Sequence, residues 1–346
     1  MIWQGDRAIG EGFALVTLGV LDEERFYTPR ERVGENRRFV AYDRETGEEA
    51  WRQTITGPCN PPIVSAGRVY CPGDKLFAFD AEKGDPLWTY VPTSFLSLTQ
   101  GTADANRVYV GTVTPFGTAL AVDAATGTLL WERSFEGPGW KSNRMRSLTL
   151  SPEGDLLIAF EAEYSPPAIF SANVIVAVDP ATGQERWRYV DGSETTDRAI
   201  GGLTLWEDLM LYSDPFTQEA VAVNRLTRQV VWRAPYTLNS GSGLRPPVVK
   251  DGVAFFTDTL GGFFAVDART GRRKWTTKRP YGFLSHEVCG DIVFGNDQLG
   301  DVLDRATGRS LGRPLGEDDT VGQAVVADDV LYLSARSGVY AFDCTR

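Results

Sequence analysis

Short apolar runs alternate with polar positions along the whole chain, and turn residues end each run after a few positions. The third group is typical, with candidate strands at 99–103, 107–113, 119–123 and 128–133. Alternation with a period of two indicates strands with one buried face, and no longer window has convincing helical periodicity. The pattern therefore predicts an all-β protein whose strands come in antiparallel groups of four.

A turn signature recurs at the end of the third strand of each group. Its fullest form is Ala-x-Asp-x-x-Thr-Gly-x-x-x-Trp, as in the stretch from Ala121 to Trp131. The eight copies of the Asp position lie 37 to 56 residues apart, which is the spacing expected of propeller blades. The repeat positions are Asp43, Gly47, Trp51; Asp80, Gly84, Trp88; Asp123, Gly127, Trp131; Asp179, Gly183, Trp187; Asn224, Trp232; Asp267, Gly271, Trp275; Asp304, Gly308; and Asp343.

Each repeat position has a physical role. The Asp can accept hydrogen bonds from backbone N–H groups of its turn, and the Gly provides a positive φ where the chain reverses. The Trp offers a large apolar face that can fill the gap between wedge-shaped blades. Because every group has one such Asp or Asn in the same turn, these residues are interpreted as structural and not as a metal or acid site.

The two ends of the chain complement each other. The last copy of the pattern ends shortly after Asp343, before it can form a fourth strand, and a strand carrying Trp3 stands at residues 2–4. Pairing of these two segments would remove exposed strand edges. We therefore expect one domain over residues 1–346, an eight-bladed β-propeller closed by pairing of its N- and C-terminal strands.

Charge and composition narrow the function. The chain has 35 Lys and Arg against 46 Asp and Glu, so its net charge of −11 disfavours a nucleic acid partner. No apolar run approaches the ~18–20 residues of a transmembrane helix, and no signal peptide is expected in the first residues. The cysteines Cys59, Cys71, Cys289 and Cys344 are too few for a disulfide scaffold. A Cys59–Cys71 bridge and free buried thiols both stay open.

On the repeated pattern, the sequence resembles the PQQ-like β-propeller repeat family over essentially its whole length. One branch comprises quinoprotein dehydrogenases, which hold pyrroloquinoline quinone (PQQ) and Ca²⁺. The other comprises non-catalytic scaffolds similar to BamB, of the outer-membrane β-barrel assembly machinery. The resemblance implies a periplasmic or cell-envelope location, with a cytoplasmic one as the alternative. The quinoprotein alcohol dehydrogenases usually carry a pair of adjacent cysteines, and no two cysteines are adjacent here.

Length variation between the repeats falls on the ends of the blades opposite the repeat turns. The inserts are interpreted as loops at 21–38, 134–147, 161–173, 234–245 and 278–283. Aromatic and Arg residues on loops are typical of binding hot spots. The predicted partner-binding residues are Arg30, Arg32, Trp140, Lys141, Arg144, Arg146, Tyr164, Tyr236 and Tyr281.

Other motifs are interpreted as structural. The single histidine, His286, has no evident acid, nucleophile or metal partner in the sequence. The glycine-serine run at 240–243 lacks the Lys of a phosphate loop, and the acidic run at 316–320 lacks EF-hand spacing. Trp206, outside the repeat, is expected to add core between Leu205 and Leu209.

Two hypotheses follow from the sequence. The first is a non-catalytic interaction or assembly scaffold of the bacterial cell envelope, which binds another protein and needs no cofactor. The second is a PQQ- and Ca²⁺-dependent dehydrogenase or a PQQ-binding sensor domain. No catalytic residue and no metal ligand can be assigned from the sequence.

Overall fold

Every regular element that the computed structural model describes is a β-strand. The described residues are 1, 3–5, 13–16, 19–32, 37–93, 97–112, 117–164, 170–192, 197–236, 246–257, 262–278, 285–296, 300–313, 315, 321–335 and 337–345. The chain divides into two compact units, residues 1–95 with 283–346, and residues 96–282.

The first unit contains four sheets. The strands of blade 1 are β2 (Phe13–Val16), β3 (Val20–Leu21), β4 (Arg25–Arg32), β5 (Arg37–Asp43) and β6 (Glu49–Ile55). Those of blade 2 are β7 (Ile63–Ser65), β8 (Arg68–Pro72), β9 (Leu76–Asp80) and β10 (Pro86–Tyr90). Those of blade 7 are β27 (Ser285–Cys289), β28 (Ile292–Asn296), β29 (Asp301–Asp304) and β30 (Ser310–Gly312). Those of blade 8 are β31 (Val321–Ala327), β32 (Val330–Ala335), β33 (Gly338–Asp343) and β1 (Trp3–Gly5).

The second unit contains the other four sheets. The strands of blade 3 are β11 (Leu98–Ala103), β12 (Arg107–Thr112), β13 (Thr118–Asp123) and β14 (Leu129–Ser134). Those of blade 4 are β15 (Trp140–Leu150), β16 (Leu156–Tyr164), β17 (Ser171–Val178) and β18 (Glu185–Asp191). Those of blade 5 are β19 (Thr204–Trp206), β20 (Leu209–Asp214), β21 (Glu219–Asn224) and β22 (Val230–Pro235). Those of blade 6 are β23 (Val248–Lys250), β24 (Val253–Thr257), β25 (Gly262–Asp267) and β26 (Arg273–Lys278).

The predicted fold class, an eight-bladed β-propeller of antiparallel blades, is confirmed. In blade 1 the first position is shared by two short strands, β2 and β3, which both pair with β4. The predicted closure is also confirmed, because β1 pairs with β33 in the register Trp3 to Ala341. That residues 1–346 form one domain stays a prediction.

The repeat turns have the predicted hydrogen bonds. Asp123 Oδ1 accepts from Thr126 N at 2.8 Å and from Thr126 Oγ1 at 2.9 Å, and Asp43 makes the same bonds to Thr46. These donors, first the backbone N–H of Thr46, hold the pKa of Asp43 below its usual range. Gly127 has a φ of 73°, which glycine adopts without strain. The Asp carboxylates therefore stabilise their own turns, as the sequence indicates.

The tryptophans of the repeat join consecutive blades, also as predicted. Trp131 of blade 3 is buried, and its Nε1–H donates to Pro180 O of blade 4 at 2.9 Å. Trp232 of blade 5 donates in the same way to Ala268 O of blade 6 at 3.0 Å. The ring of Trp232 lies against Gly271, where an added Cβ would come within 2.7 Å of the indole. Each contact thus combines apolar burial, a satisfied indole N–H and a residue without a side chain.

Arg residues within the repeat turns add ion pairs between consecutive blades. Arg269 of blade 6 contacts Asp208 of blade 5 at 2.6 Å, and its guanidinium stacks 5.1 Å from the centre of the Trp206 ring. Trp206 is half-buried against the core between blades 5 and 6, so it adds to the core as predicted. The ion pair of Arg269 with Asp208 also holds the turns of blades 5 and 6 together.

Both pairs of cysteines are bridged. Cys59 and Cys71 form a disulfide, so of the two alternatives that the sequence left open at these positions the bridge is present and free thiols are wrong. The second disulfide joins Cys289 to Cys344 across 55 positions, and the sequence contained no signal for it. A pairing between distant positions becomes visible only when the fold brings blades 7 and 8 together.

Three segments that the sequence assigned to loops are largely strands. Residues 25–32 form β4, paired with β5, so the insert assigned to 21–38 is mostly blade structure. Residues 140–150 form β15, and the insert at 161–173 includes the end of β16 and the start of β17. These strands alternate irregularly between polar and apolar residues, which hid their period. The runs at 240–243 and 316–320 lie outside the described residues.

Glu287, on β27, is half-buried, and the surrounding protein desolvates its carboxyl group. Burial raises its pKa to about 8. A folded-state pKa above the unfolded value means that the folded chain keeps a proton that the unfolded chain has lost. The free energy of unfolding should therefore fall as pH rises from about 4.5 to 8, and level off above that.

We predict that Glu287→Gln removes this pH dependence. Relative to the native chain, the variant should gain about 2–4 kcal/mol of stability at pH 9 and nothing at pH 5, since one pKa unit is worth about 1.4 kcal/mol and partial solvation reduces the total. Urea unfolding at pH 5, 7 and 9 measures the effect, with exposed Glu132→Gln as control. The same pH profile in the native chain and Glu287→Gln would contradict the assignment.

We predict that Gly271→Ala destabilises the protein by about 2–4 kcal/mol, because the methyl group meets the Trp232 ring and alanine is strained at a φ of 70°. Gly154→Ala is the matched control, with a φ of 82° and nothing within 4 Å of an added Cβ. It should cost only about 1 kcal/mol, the strain alone. Equal losses in chemical unfolding of the two variants would show that the Trp–Gly contact contributes little.

Candidate functional site

The longest strands of the second unit form a hairpin in blade 4. Strands β15 and β16 pair from Leu150 and Leu156 up to Trp140 and Tyr164. Their far end lies opposite the repeat turns, at what we call the loop end of the blade. Asn143 anchors this hairpin to blade 3, since its side chain bonds to Gly117 N and to Phe135 O.

An aromatic group lies at the loop end of this hairpin. Trp140 meets Tyr164 edge-on with ring centres 6.5 Å apart, and Tyr164 stacks on Phe170 at 4.4 Å. The guanidinium of Arg188 lies 5.0 Å from the centre of the Trp140 ring, a cation–π contact. Trp140 and Tyr164 are half-buried, so each ring keeps an accessible part on a rigid support.

The remaining predicted residues of the second unit differ in accessibility. Lys141, next to Trp140, and Arg144, farther along β15, are exposed. Arg146 instead pairs with the buried Glu161 at 2.6 Å. Tyr236 is buried: its hydroxyl donates to Asp214 O at 3.0 Å, and its ring stacks against the apolar core of blade 6. Tyr236 and Arg146 therefore support the surface from below.

Arg30 and Arg32 belong to the first unit. Arg30 lies in β4, where its buried guanidinium donates to Ser334 Oγ at 3.2 Å and joins blades 1 and 8. Arg32 ends the same strand, and its side chain is not among those described. Tyr281 lies outside the described residues. The sequence cannot distinguish a buried strand arginine from a loop arginine, because the distinction rests on the neighbouring blade.

The structure presents an aromatic residue that the sequence analysis did not select. Phe216 lies between β20 and β21, at the loop end of blade 5, and is 59% exposed. Asp214 Oδ1 accepts from Phe216 N at 3.1 Å and from Thr217 N at 3.2 Å, so the turn is held in place. The run Asp-Pro-Phe-Thr is a turn signature and could have drawn attention to this residue.

Beside this turn, an inter-blade charge network of Asp191, Arg198, Asp214, Glu219 and Arg233 joins blades 4 and 5. Arg233 contacts Asp191 at 2.8 Å and Glu219 at 3.3 Å. Arg198 contacts Asp214 at 3.2 Å, Asp191 at 3.5 Å and Glu219 at 3.6 Å. Two guanidinium groups thus compensate three carboxylates in a largely buried place.

Burial sets the proton affinities around the network. Desolvation raises the pKa of Asp214 above its usual range, and it raises that of Tyr212 well above its usual range. The Tyr212 hydroxyl donates to Asp191 at 2.8 Å. Burial alone would lower the pKa of Arg233, but the hydrogen bond and charge of Asp191 raise it. The ion pairs of Arg198 and Arg233 hold the carboxylates of the network in one arrangement.

The network also does not fit PQQ with Ca²⁺. Calcium prefers six to eight oxygen ligands, and the three carboxylates here already face guanidinium groups. In the described part of the chain, no group of three or more His, Cys, Asp or Glu is placed to hold a metal ion. His286 is buried in β27. Within the same ranges no helix has the length and apolarity to cross a membrane.

The amino-acid sequence is similar to those of several characterised proteins. The chain is 25% identical over 315 residues to the outer membrane protein assembly factor BamB of Burkholderia pseudomallei, which covers 81% of the chain and 74% of the relative. It is 27% identical over 221 residues to the serine/threonine-protein kinase AfsK of Streptomyces coelicolor, covering 61% of the chain. The matched part is 25% of the kinase.

Solved structures share the fold. BamB from Moraxella catarrhalis superposes with a TM-score of 0.73 and 16% identity, over 97% of this chain and 96% of that one. A europium-containing methanol dehydrogenase gives 0.71 and 14% identity, over 95% and 84%. BamB and a dehydrogenase thus share this architecture.

The family described as outer membrane protein assembly factor BamB matches residues 1–153 and 94–311, most of the chain. Together with the repeat and the eight four-stranded blades, this match shows that the chain belongs to that family of PQQ-like β-propeller repeat proteins.

Proposed function

We propose that the protein is a non-catalytic scaffold of the bacterial cell envelope that binds another protein at the loop ends of blades 4 and 5. The observation that carries the proposal is the exposed Phe216 ring, held by a hydrogen-bonded turn beside a rigid charge network. An aromatic side chain that is ordered before binding loses little conformational entropy on binding.

The neighbouring hairpin supports the same surface. Trp140 and the exposed Lys141 and Arg144 add an aromatic ring and two positive charges to the loop end of blade 4. Aromatic and Arg residues are enriched at interface hot spots. The Arg198 and Arg233 side chains are only partly exposed and stay paired, so they would position the surface and not recognise the partner themselves.

Two disulfides support the envelope as the compartment. Disulfides persist in the periplasm and outside the cell, and are rare in the reducing cytosol. Both cysteine pairs of the chain are bridged. The relatives named for outer membrane protein assembly favour a partner in an envelope assembly complex.

We predict that Phe216→Ser weakens binding of the partner at least tenfold without changing the melting temperature, since the ring is exposed in the free protein. Leu226→Ser is the matched control: Leu226 is also 59% exposed, on the turn at the opposite end of the same blade, where Asn224 accepts from Leu226 N at 3.0 Å. This variant should bind like the native chain.

The measurement starts from immobilised native, Phe216→Ser and Leu226→Ser chains incubated with an envelope extract of the source organism. The protein that the native chain retains most strongly is then purified, whether or not the variants retain it, and its affinity for all three is measured by calorimetry. Equal affinity of the native chain and Phe216→Ser would refute the proposed surface.

The alternative is PQQ- and Ca²⁺-dependent dehydrogenation or PQQ sensing, favoured by the shared fold of the methanol dehydrogenase and by 24% identity over 284 residues to lupanine 17-hydroxylase of a Pseudomonas species. The matched part is 40% of that hydroxylase. Titration of the folded chain with PQQ in the presence of Ca²⁺ separates the two. We expect no saturable heat, and micromolar or tighter binding would favour the cofactor function.

A further inference from the structure

The disulfide Cys289–Cys344 joins blades 7 and 8 of the first unit. Cys289 ends β27, the first strand of blade 7, and Cys344 directly follows β33 of blade 8. Both residues are buried, in one apolar cluster with Phe294 and Leu333. The bond therefore fastens the end of β33 to the neighbouring blade.

The backbone around the bond is fitted to it. Gly290 has a φ of 54°, and a Cβ at this position would collide with the carbonyl oxygen of Cys344. Cys344 N donates to Asp329 O at 3.0 Å, in the turn between β31 and β32. Only a glycine next to Cys289 lets the two chain segments approach this closely.

Strand β33 in turn holds β1. The β1–β33 ladder has three residue pairs, from Trp3 with Ala341 to Gly5 with Val339, whereas β33 and β32 form six pairs. A three-residue strand at a sheet edge has little stability of its own, so it depends on the position of the strand it pairs with. The disulfide fixes one end of that strand.

We propose that the Cys289–Cys344 disulfide is a lock on blade 8 that holds only while the bond is oxidised, and that it keeps β33 in place and thereby keeps β1 paired. When a dithiol reduces it, two electrons and two protons pass to the sulfur atoms, the S–S bond becomes two thiols, and the dithiol closes into its own disulfide. The reduced chain then frays at β1 and at the end of β33. Reoxidation, with two electrons passed to a protein disulfide of an oxidoreductase, restores the lock.

The other disulfide serves as an internal comparison. Cys59–Cys71 closes a segment of 12 positions that begins after β6 and ends within β8. Cys289–Cys344 closes a segment of 55 positions. Cross-links that close longer segments restrict the unfolded chain more. Cys59–Cys71 also joins the connection between blades 1 and 2, away from the β1–β33 ladder, so its loss should not free β1. The lock does not depend on the proposed partner surface.

The test is hydrogen exchange with mass spectrometry on the full chain. It compares the oxidised native protein with the double variant Cys289→Ala/Cys344→Ala and with the matched control Cys59→Ala/Cys71→Ala, which loses the same atoms. We expect the amides of β1 and the end of β33 to exchange at least tenfold faster in the first variant only. Unchanged exchange there, or the same increase in both variants, would overturn the proposal.

A second measurement uses the native chain and does not depend on the variant folding. The oxidised protein is treated with a phosphine reductant, the thiols are alkylated, and peptide mass analysis confirms which bond has opened. Molecules with Cys289 and Cys344 alkylated should show the fast exchange at β1. The proposal fails if such molecules exchange like the oxidised protein, or if the purified native chain already carries these two cysteines as thiols.

Discussion

The contact of a tryptophan with a glycine of the following blade is the interaction on which the rest of the structure depends. An antiparallel sheet of four strands cannot bury both of its faces alone, so each blade needs a neighbour at a fixed distance. The Trp232 ring sets that distance by lying on Gly271 while its N–H is satisfied by Ala268 O. Repetition of this contact makes one short motif sufficient to assemble a large protein.

The two ends of each blade differ in what their residues do. The Asp carboxylates of the repeat, such as that of Asp123, accept hydrogen bonds from their own turns. Arg side chains beside those turns, such as Arg269, pair with the preceding blade. The repeat motif places no residue at the opposite ends. There the strands of blade 4 are longer and Phe216 is exposed. Function can therefore vary at one end while the other end keeps the fold.

The charge network between blades 4 and 5 has a cost that constrains its role. Taking Arg233 and Asp191 out of water is unfavourable unless each finds its partners, and here both do. A network whose charges are all paired holds its side chains in one geometry. The surface beside it is then preorganised, which lowers the conformational entropy that binding there would cost.

The sequence by itself determined most of the strands, the repeat turns and the joining of the blades. Each of these rests on residues close together in the chain, and eight copies made the local pattern unmistakable. Only the tertiary structure decided that Arg30 is buried against Ser334, that Tyr236 lies beneath the surface it was expected to form, and that Cys289 meets Cys344. The physical reason is distance along the chain: burial and pairing depend on the neighbouring blade, which no local period encodes.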